Sequence, residues 1–282
     1  MRKRKFRELI ENNRWLKKVP NLLTICNSLC GFAAVLYALH LYDDTMLATH
    51  PLKVSAWIIM FAMVFDALDG FAARIFHAGS MKGLQMDSLA DMVTFGMAPA
   101  VVVAIMAHYN RSSGMFQPYE YFVMWGLCGV YLGCAASRLA TYNVEAIFPH
   151  KDHDSNYFSG LPSPGGAAAI CSTVIFFCNF PGEIKYLTYG LPLYAATLGL
   201  LMVSRIPYIH VGRWLQSVRR NKKRMAVLIV VLVAAVCRVD VTIIVIVNLY
   251  IFSGPVMVIL SRTGVVPPRE SKPLPESSES AH

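Results

Sequence analysis

Asp66-Ala-Leu-Asp69-Gly70-Phe-Ala-Ala73-Arg74, then eight residues, then Gly83-Leu-Gln-Met-Asp87-Ser-Leu-Ala-Asp91: this stretch sets four carboxylates and an arginine inside otherwise apolar sequence. On helices, Asp66, Asp69, Gly70, Ala73 and Arg74 share one stripe, because residues three and four apart are surface neighbours. Gly83, Asp87 and Asp91 form a second stripe at strict four-residue spacing. Two such helices facing each other point all four carboxylates into one space. That space calls for a cation.

The surrounding chain has 282 residues, of which 55% are hydrophobic and 15% charged, and its mean hydropathy is +0.46. Soluble domains carry about 25% charged residues, so composition alone predicts an integral membrane protein, and the helix-length apolar runs described below make the expected fold all-α. The formal net charge is +9. Basic residues crowd into Met1–Lys18 and Gly212–Arg224, as in cytoplasmic segments that face anionic membrane lipids. Nucleic-acid binding is the competing reading of such runs. With most of the chain in lipid, no nucleic acid partner is expected. Cys26, Cys30, Cys128, Cys134, Cys171, Cys178 and Cys237 lie in apolar stretches, form no CxxC pair and are odd in number. They read as buried, reduced, small hydrophobes rather than as a disulfide framework or zinc site.

Residues 1–19 form a basic cytosolic segment with Phe6, Leu9, Ile10 and Leu16 gathered on one side. A short amphipathic helix on the membrane surface and a plain basic tail both fit this pattern. A basic, polar segment of about twenty residues before the first apolar run is not a cleavable signal peptide. Residues 20–262 are expected to form the transmembrane catalytic domain, and residues 263–282, rich in Pro, Ser and Glu, a disordered cytosolic tail. A bilayer core of ~30 Å takes about twenty helical residues. By that measure the chain offers about eight spans: Asn21–Leu41, Leu52–Phe76, Met86–His108, Tyr121–Asn143, Leu161–Phe180, Leu187–Ser204, Met225–Val239 and Val241–Leu260. No internal repeat is evident.

An inside N-terminus puts the 76–86, 144–160 and 205–224 segments and the C-terminus on the cytosolic side of the inner, or cytoplasmic, membrane. The unusual polar motifs then all fall at cytosolic helix ends. Pro20, Asn21, Thr24 and Asn27 open the first span, Asp66–Arg74 closes the second, and Asp87–Asp91 opens the third. Ser137, Arg138, Thr141 and Asn143 close the fourth, and Gly160-Leu-Pro-Ser-Pro-Gly-Gly166 opens the fifth. The pattern predicts a cytosol-facing polar cavity between helices.

A carboxylate at membrane depth costs about 2.5–3.5 kcal/mol when central, so four together cost up to about 10–14 kcal/mol before their mutual repulsion. One arginine does not offset that. Hard divalent cations do, and four aspartates suit Mg²⁺ or Mn²⁺ completed by water and phosphate. Two cations about 4 Å apart would form the arrangement used for displacement at phosphorus. Gly70 and Gly83 leave room for a ligand at the backbone, and Arg74 suits a phosphate. The blander readings are salt bridging for the aspartates, snorkelling for Arg74 and close helix packing for Gly70, Ala73 and Gly83. His150-Lys-Asp-His-Asp154 reads as a solvated loop rather than a metal site.

Asp66-x-x-Asp69-Gly70-x-x-Ala73-Arg74, eight residues, Gly83-x-x-x-Asp87-x-x-x-Asp91 resembles the complete signature of the CDP-alcohol phosphatidyltransferases. Further stretches resemble the branch of that family whose acceptor is L-serine. They are Pro20-Asn21-Leu-Leu-Thr24-Ile-Cys-Asn27-Ser-Leu-Cys-Gly31, Met86–Asp91 with Phe95-Gly96-Met-Ala98-Pro99-Ala100, Ser137-Arg138-Leu139-Ala140, and Ser159-Gly160-Leu161-Pro162-Ser163-Pro164. Thr141-Tyr142-Asn143 stands where Arg-Phe-Asn is common, and Gly165-Gly166 where alanines are common.

The resemblance implies a helical membrane bundle that converts CDP-diacylglycerol and L-serine into phosphatidylserine and CMP, and a homodimer. It implies that Asp66, Asp69, Asp87 and Asp91 bind two divalent cations, with Asp91 also the catalytic base. Gly70, Ala73, Arg74 and Gly83 would line the CDP-diacylglycerol site, with Asn21 and Thr24 beside them. Arg138, Asn143 and Ser163 are the candidate serine-binding residues, chosen on topology. Two alternatives stay open: a sister transferase acting on glycerol 3-phosphate or an inositol phosphate, and a cation transporter using the aspartates as its ion site. Carboxylates at one membrane face, with almost no charge beyond them, speak against the transporter.

Overall fold

The computed structural model describes residues 18–40, 49–76, 80–109, 118–147, 157–179, 184–209 and 222–263. The expected surface helix in residues 1–17, the 150–154 loop, residues 212–221 of the basic segment and the tail 264–282 lie outside them. The helices are α1 (Val19–Leu39), α2 (Thr49–Ile75), α3 (Met81–Asp91), α4 (Ala98–Tyr109), α5 (Pro118–Ile147), α6 (Ser163–Phe177), α7 (Ile184–Val203), α8 (Lys222–Cys237) and α9 (Val239–Arg262). A π-helical segment, Met92–Met97, joins α3 to α4 as one continuous rod. Each of the eight expected spans coincides with a helix.

Five helical stretches are long and apolar enough to cross a membrane: Val19–Leu39, His50–Ile75, Met81–His108, Phe122–Ile147 and Val239–Leu260. Ser163–Phe177 and Gly190–Val203 are shorter apolar helices. At 1.5 Å per residue, the 15 residues of α6 reach only about 22 Å, less than the ~30 Å hydrocarbon core. The all-α expectation has one local exception, an antiparallel pair of three-residue strands, β1 (Tyr157–Ser159) and β2 (Pro207–Ile209).

Why α1 packs as it does is visible in its sequence. Pro20 sits in its first turn, where a missing N–H costs nothing. Its buried residues, Pro20, Thr24, Asn27, Gly31, Ala34 and Ala38, recur every three or four positions and make one narrow face. Small residues at its distal end let α2 approach closely, with Ala34, Ala38, Ala56 and Ala62 all fully buried. Ser55 Oγ of α2 donates to Ala34 O at 2.7 Å across that contact.

The proximal end of the same face meets the π-helical segment. There the Ala98 N–H reaches back five residues to Val93 O, the widened turn that defines a π-bulge. Thr94 Oγ1 donates to Asn27 O at 2.9 Å, and the Tyr131 hydroxyl of α5 donates to Phe95 O at 2.7 Å. α1, the rod and α5 are thereby stitched together just beyond the acidic stretch.

Gly31 makes the close approach possible: a Cβ there would lie 2.6 Å from Thr94 Oγ1 and 2.7 Å from Thr94 Cα. Gly31→Ala should therefore destabilise the protein by about 1–3 kcal/mol through overpacking. It should lower turnover too, because the same contact spaces Asn27 from the rod. Gly190→Ala, where a Cβ meets nothing within 4 Å, is the control. Thermal unfolding of the detergent-solubilised variants checks this, and equal midpoints for the two would refute the packing account.

All seven cysteines are free. Cys128, Cys171 and Cys178 are buried, while Cys237, at the end of α8, is exposed and departs from the buried expectation.

Candidate active site

The second acidic stripe lies wholly within a helix that starts earlier than hydropathy suggests. Ser80 caps α3, its hydroxyl accepting the Gly83 N–H at 3.0 Å, so the helix begins at Met81 rather than near Met86. The last turns of α2 carry Asp66 and Asp69, and α3 carries Asp87 and Asp91 in facing positions. One carboxylate oxygen from each of Asp66, Asp69 and Asp87 lies within 4.8 Å of the other two. Asp69 is buried, and Asp66 and Asp87 are half-buried.

Asp91 stands one turn further along α3, only 8% exposed. It is not among the three converging oxygens, yet it lies close enough to Asp66, Asp87 and Asp69 to interact with each charge. Its Oδ1 accepts a hydrogen bond from Asn27 Nδ2 at 3.1 Å. Asp69 Oδ2 accepts one from Thr24 Oγ1 at 2.9 Å, a hydroxyl that also lies 3.0 Å from Pro20 O. The buried face of α1 thus supplies neutral donors that orient two of the four carboxylates.

Asp87 Oδ1 is buried and has no hydrogen-bond partner. Among the described residues, no lysine or arginine side chain makes an ion pair with any of the four aspartates. Three converging carboxylates, one of which carries an orphaned buried oxygen, fit a divalent cation.

Beside the carboxylates is a cavity of about 190 Å³. Asn21 and Thr24 from α1, Asp69, Gly70 and Ala73 from α2, and Ser80, Gly83 and Asp87 from the next helix line it. Five of the six residues expected around CDP-diacylglycerol therefore line one cavity. Arg74 differs: it is exposed, and its Nε folds back onto Gly70 O of its own helix at 3.0 Å.

The three candidate serine residues do not gather. Arg138 Nε donates to Leu161 O at 3.1 Å, next to the 3%-exposed Ser163. This corner is built by Gly160, whose φ of +82° is a left-handed turn. Gly160 N donates to Ile206 O at 2.9 Å and Leu161 N to Leu201 O at 3.1 Å, docking the entry of α6 onto the end of α7. Asn143 lies elsewhere. It accepts the Ser88 hydroxyl at 2.7 Å and lines a second cavity of about 350 Å³ with Gln85, Met92, Ala136 and Leu139.

Asn27, Ser80 and Ser88 were not among the expected site residues. Asn27 was detectable, since it follows Thr24 by three on the one polar stripe of an apolar helix. Ser80, three residues before Gly83, had the position of a helix cap. Nothing local pairs Ser88 with Asn143.

The profile of the CDP-alcohol phosphatidyltransferase family matches residues 17–203. Over 192 residues the chain is 28% identical to the CDP-diacylglycerol–serine O-phosphatidyltransferase of Helicobacter pylori J99, covering 67% of this chain and 70% of that one. The Mycobacterium tuberculosis H37Rv protein of the same name is 31% identical over 197 residues, covering 68% and 61%. That of Bacillus subtilis 168 is 30% identical over 193 residues, covering 68% and 90%. The match thus takes in somewhat less than two thirds of the mycobacterial relative. The chain belongs to the CDP-alcohol phosphatidyltransferase family. It is a membrane protein of the all-α type, in a family whose members use divalent cations, and its aspartate triad can bind one.

Proposed function

We propose that this protein transfers the phosphatidyl group of CDP-diacylglycerol to the hydroxyl of L-serine, giving phosphatidylserine and CMP. The convergence of Asp66, Asp69 and Asp87 beside a cavity that contains the signature glycines carries the reading, and the names of the relatives point to serine as acceptor.

In this reading Asp66, Asp69, Asp87 and Asp91 hold two divalent cations, Mg²⁺ or Mn²⁺. When bound, the cations neutralise the diphosphate and the charge that develops on departing CMP. The chain's own residues do the rest. Asn21, Thr24, Gly70, Ala73 and Gly83 receive the cytidine phosphate, with Arg74 swinging from Gly70 O to the phosphate at the cavity rim. Thr24 and Asn27 keep Asp69 and Asp91 aimed. Asp91 takes the proton of the serine hydroxyl as its oxygen bonds to the phosphatidyl phosphorus, and the bond from that phosphorus to CMP breaks. Arg138, near Ser163, faces the serine carboxylate. Asn143 stands apart from that pair and is better suited to fixing α5 against α3 through Ser88.

The basic segments favour an inner-membrane orientation in which both termini and the site face the cytosol, where nucleotide and serine are dissolved. The acyl chains then stay in lipid. The basic stretches meet anionic lipids, and a homodimer is the assembly the family resemblance implies.

Purified protein in mixed micelles with CDP-diacylglycerol and a divalent cation should release CMP when L-serine is added. Glycerol 3-phosphate or an inositol phosphate in its place should give at most about a hundredth of that rate, because a site built for one polar acceptor leaves its groups unpaired with another. Release of CMP with glycerol 3-phosphate alone would overturn the serine assignment. Cation flux in liposomes without CMP release from any acceptor would favour the transporter.

A further inference from the structure

Three of the four carboxylates converge and the fourth does not. Oxygens of Asp66, Asp69 and Asp87 lie within 4.8 Å of one another, and Asp91 stands one turn further along α3, outside that set. Hard divalent cations gather about six oxygen ligands. A second cation held by Asp91 therefore calls for oxygens that the converging three do not supply.

Asn27 of α1 is the neighbour that fits. It is fully buried, and its Nδ2 donates to Asp91 Oδ1 at 3.1 Å. An ionised carboxylate accepts and never donates, so the amide must turn its nitrogen to Asp91 and its oxygen elsewhere. That oxygen, Asn27 Oδ1, is buried and has no hydrogen-bond partner among the described residues. A buried acceptor without a donor opposes folding and calls for a partner that the chain itself does not provide. Asp87 Oδ1 is orphaned in the same way, and Asp87 is the helix-face neighbour of Asp91, one turn before it. Both orphans thus sit next to Asp91. A cation pairs several such acceptors at once, whereas a water has two protons to give.

The carboxamide is also held firmly enough to act as a ligand. Thr94 Oγ1, itself fully buried, donates to Asn27 O at 2.9 Å. Gly31 lets the rod come so close that a Cβ there would lie 2.6 Å from that hydroxyl. With its backbone fastened to Thr94 and its nitrogen to Asp91, Asn27 cannot swing its oxygen out to solvent. Cation ligands are oriented by such neighbouring bonds.

We infer that Asn27 is itself a cation ligand: its Oδ1 joins Asp91 in holding the second divalent cation. The inference rests on the two-cation reading of the aspartates. It gives one amide two roles, a nitrogen that aims Asp91 and an oxygen that binds beside it. It also makes α1 a contributor to a centre otherwise built from α2 and α3.

Electron–nuclear double resonance on the purified protein, loaded with Mn²⁺ and free of substrate, tests it. Wild type made by cell-free synthesis with asparagine carrying ¹³C at its side-chain carbonyl should show a ¹³C coupling to Mn²⁺. That coupling should vanish in Asn27→Asp, where the side-chain carbon is unlabelled. Asn27→Cys supplies a second readout, because a thiolate is a soft ligand. It should bind Mn²⁺ about 10–100-fold more weakly than the wild type. With Cd²⁺ it should show a sulfur-to-metal charge-transfer band that the wild type, with its own seven cysteines, lacks. Loss of an orienting partner alone would weaken Mn²⁺ binding as much but would create no such band.

Mn²⁺ bound to the wild type without a ¹³C coupling, a coupling that survives in Asn27→Asp, or Cd²⁺ bound to Asn27→Cys without a new band would each overturn the inference while the cation reading stands. A wild type that binds no Mn²⁺ would instead sink that reading and take the inference with it.

Discussion

Asp91→Asn should leave a folded protein whose kcat for CMP release falls by a factor of about 10²–10⁴, the range removed with a general base. The substitution is nearly isosteric and keeps an oxygen where Asn27 Nδ2 now donates at 3.1 Å. The packing around it, with Asp91 only 8% exposed and Ala90 4%, is undisturbed. One fewer negative charge in the interior also relieves repulsion with Asp66, Asp87 and Asp69, so stability in the absence of divalent cation should not fall. A drop in kcat with an unfolding midpoint in chelator at or above that of the wild type therefore assigns the loss to proton transfer and cation binding at this one carboxylate rather than to unfolding. Turnover near the wild-type rate in Asp91→Asn would refute the base role.

The reason Asp91 was identifiable from sequence is also the reason other residues were not. Four-residue spacing from Gly83 through Asp87 to Asp91 fixes a shared face as soon as a helix is assumed, and α3 is that helix. The stripe from Pro20 to Ala38 was legible in the same way, by period and by its polar members. Arg138 and Asn143, in contrast, are five residues apart on one helix, which turns them about 140° from each other. A shared pocket was therefore unfavourable on helical geometry alone; proximity to the same helix end concealed it. Arg138 reaches Leu161 O while Asn143 meets Ser88.

The π-helical turn at Met92–Met97 has no periodic marker in an apolar run, and its stabilising bonds, from Thr94 to Asn27 O and from Tyr131 to Phe95 O, join distant parts of the chain. Hydropathy likewise located all eight helical stretches but not their lengths. It placed the start of α3 at the first sustained apolar residues, whereas the Ser80 cap starts the helix a turn earlier, through polar sequence.

Excess chelator should stop the proposed reaction entirely, and Mg²⁺ or Mn²⁺ should restore it. The stronger consequence concerns stability. Oxygens of Asp66, Asp69 and Asp87 within 4.8 Å of one another, each carboxylate costing up to about 2.5–3.5 kcal/mol at membrane depth and less toward the helix ends, oppose folding unless positive charge joins them. Thr24 and Asn27 supply only neutral donors, and Asp87 Oδ1 has none. A cation that binds only the folded state adds about 2.7 kcal/mol at a hundred times its Kd. The wild type should therefore unfold several degrees lower in chelator than in saturating divalent cation, even with no substrate present.

Asp87→Asn should reverse that order. In chelator it removes one of the repelling charges and should unfold above the wild type. In saturating cation it lacks a ligand and should unfold below it. The crossing of the two midpoints separates a metal centre from a merely strained acidic cluster, for which the variant would be the more stable in both conditions. Persistent turnover in excess chelator, or midpoints that do not cross, would remove the divalent-cation reading of the site.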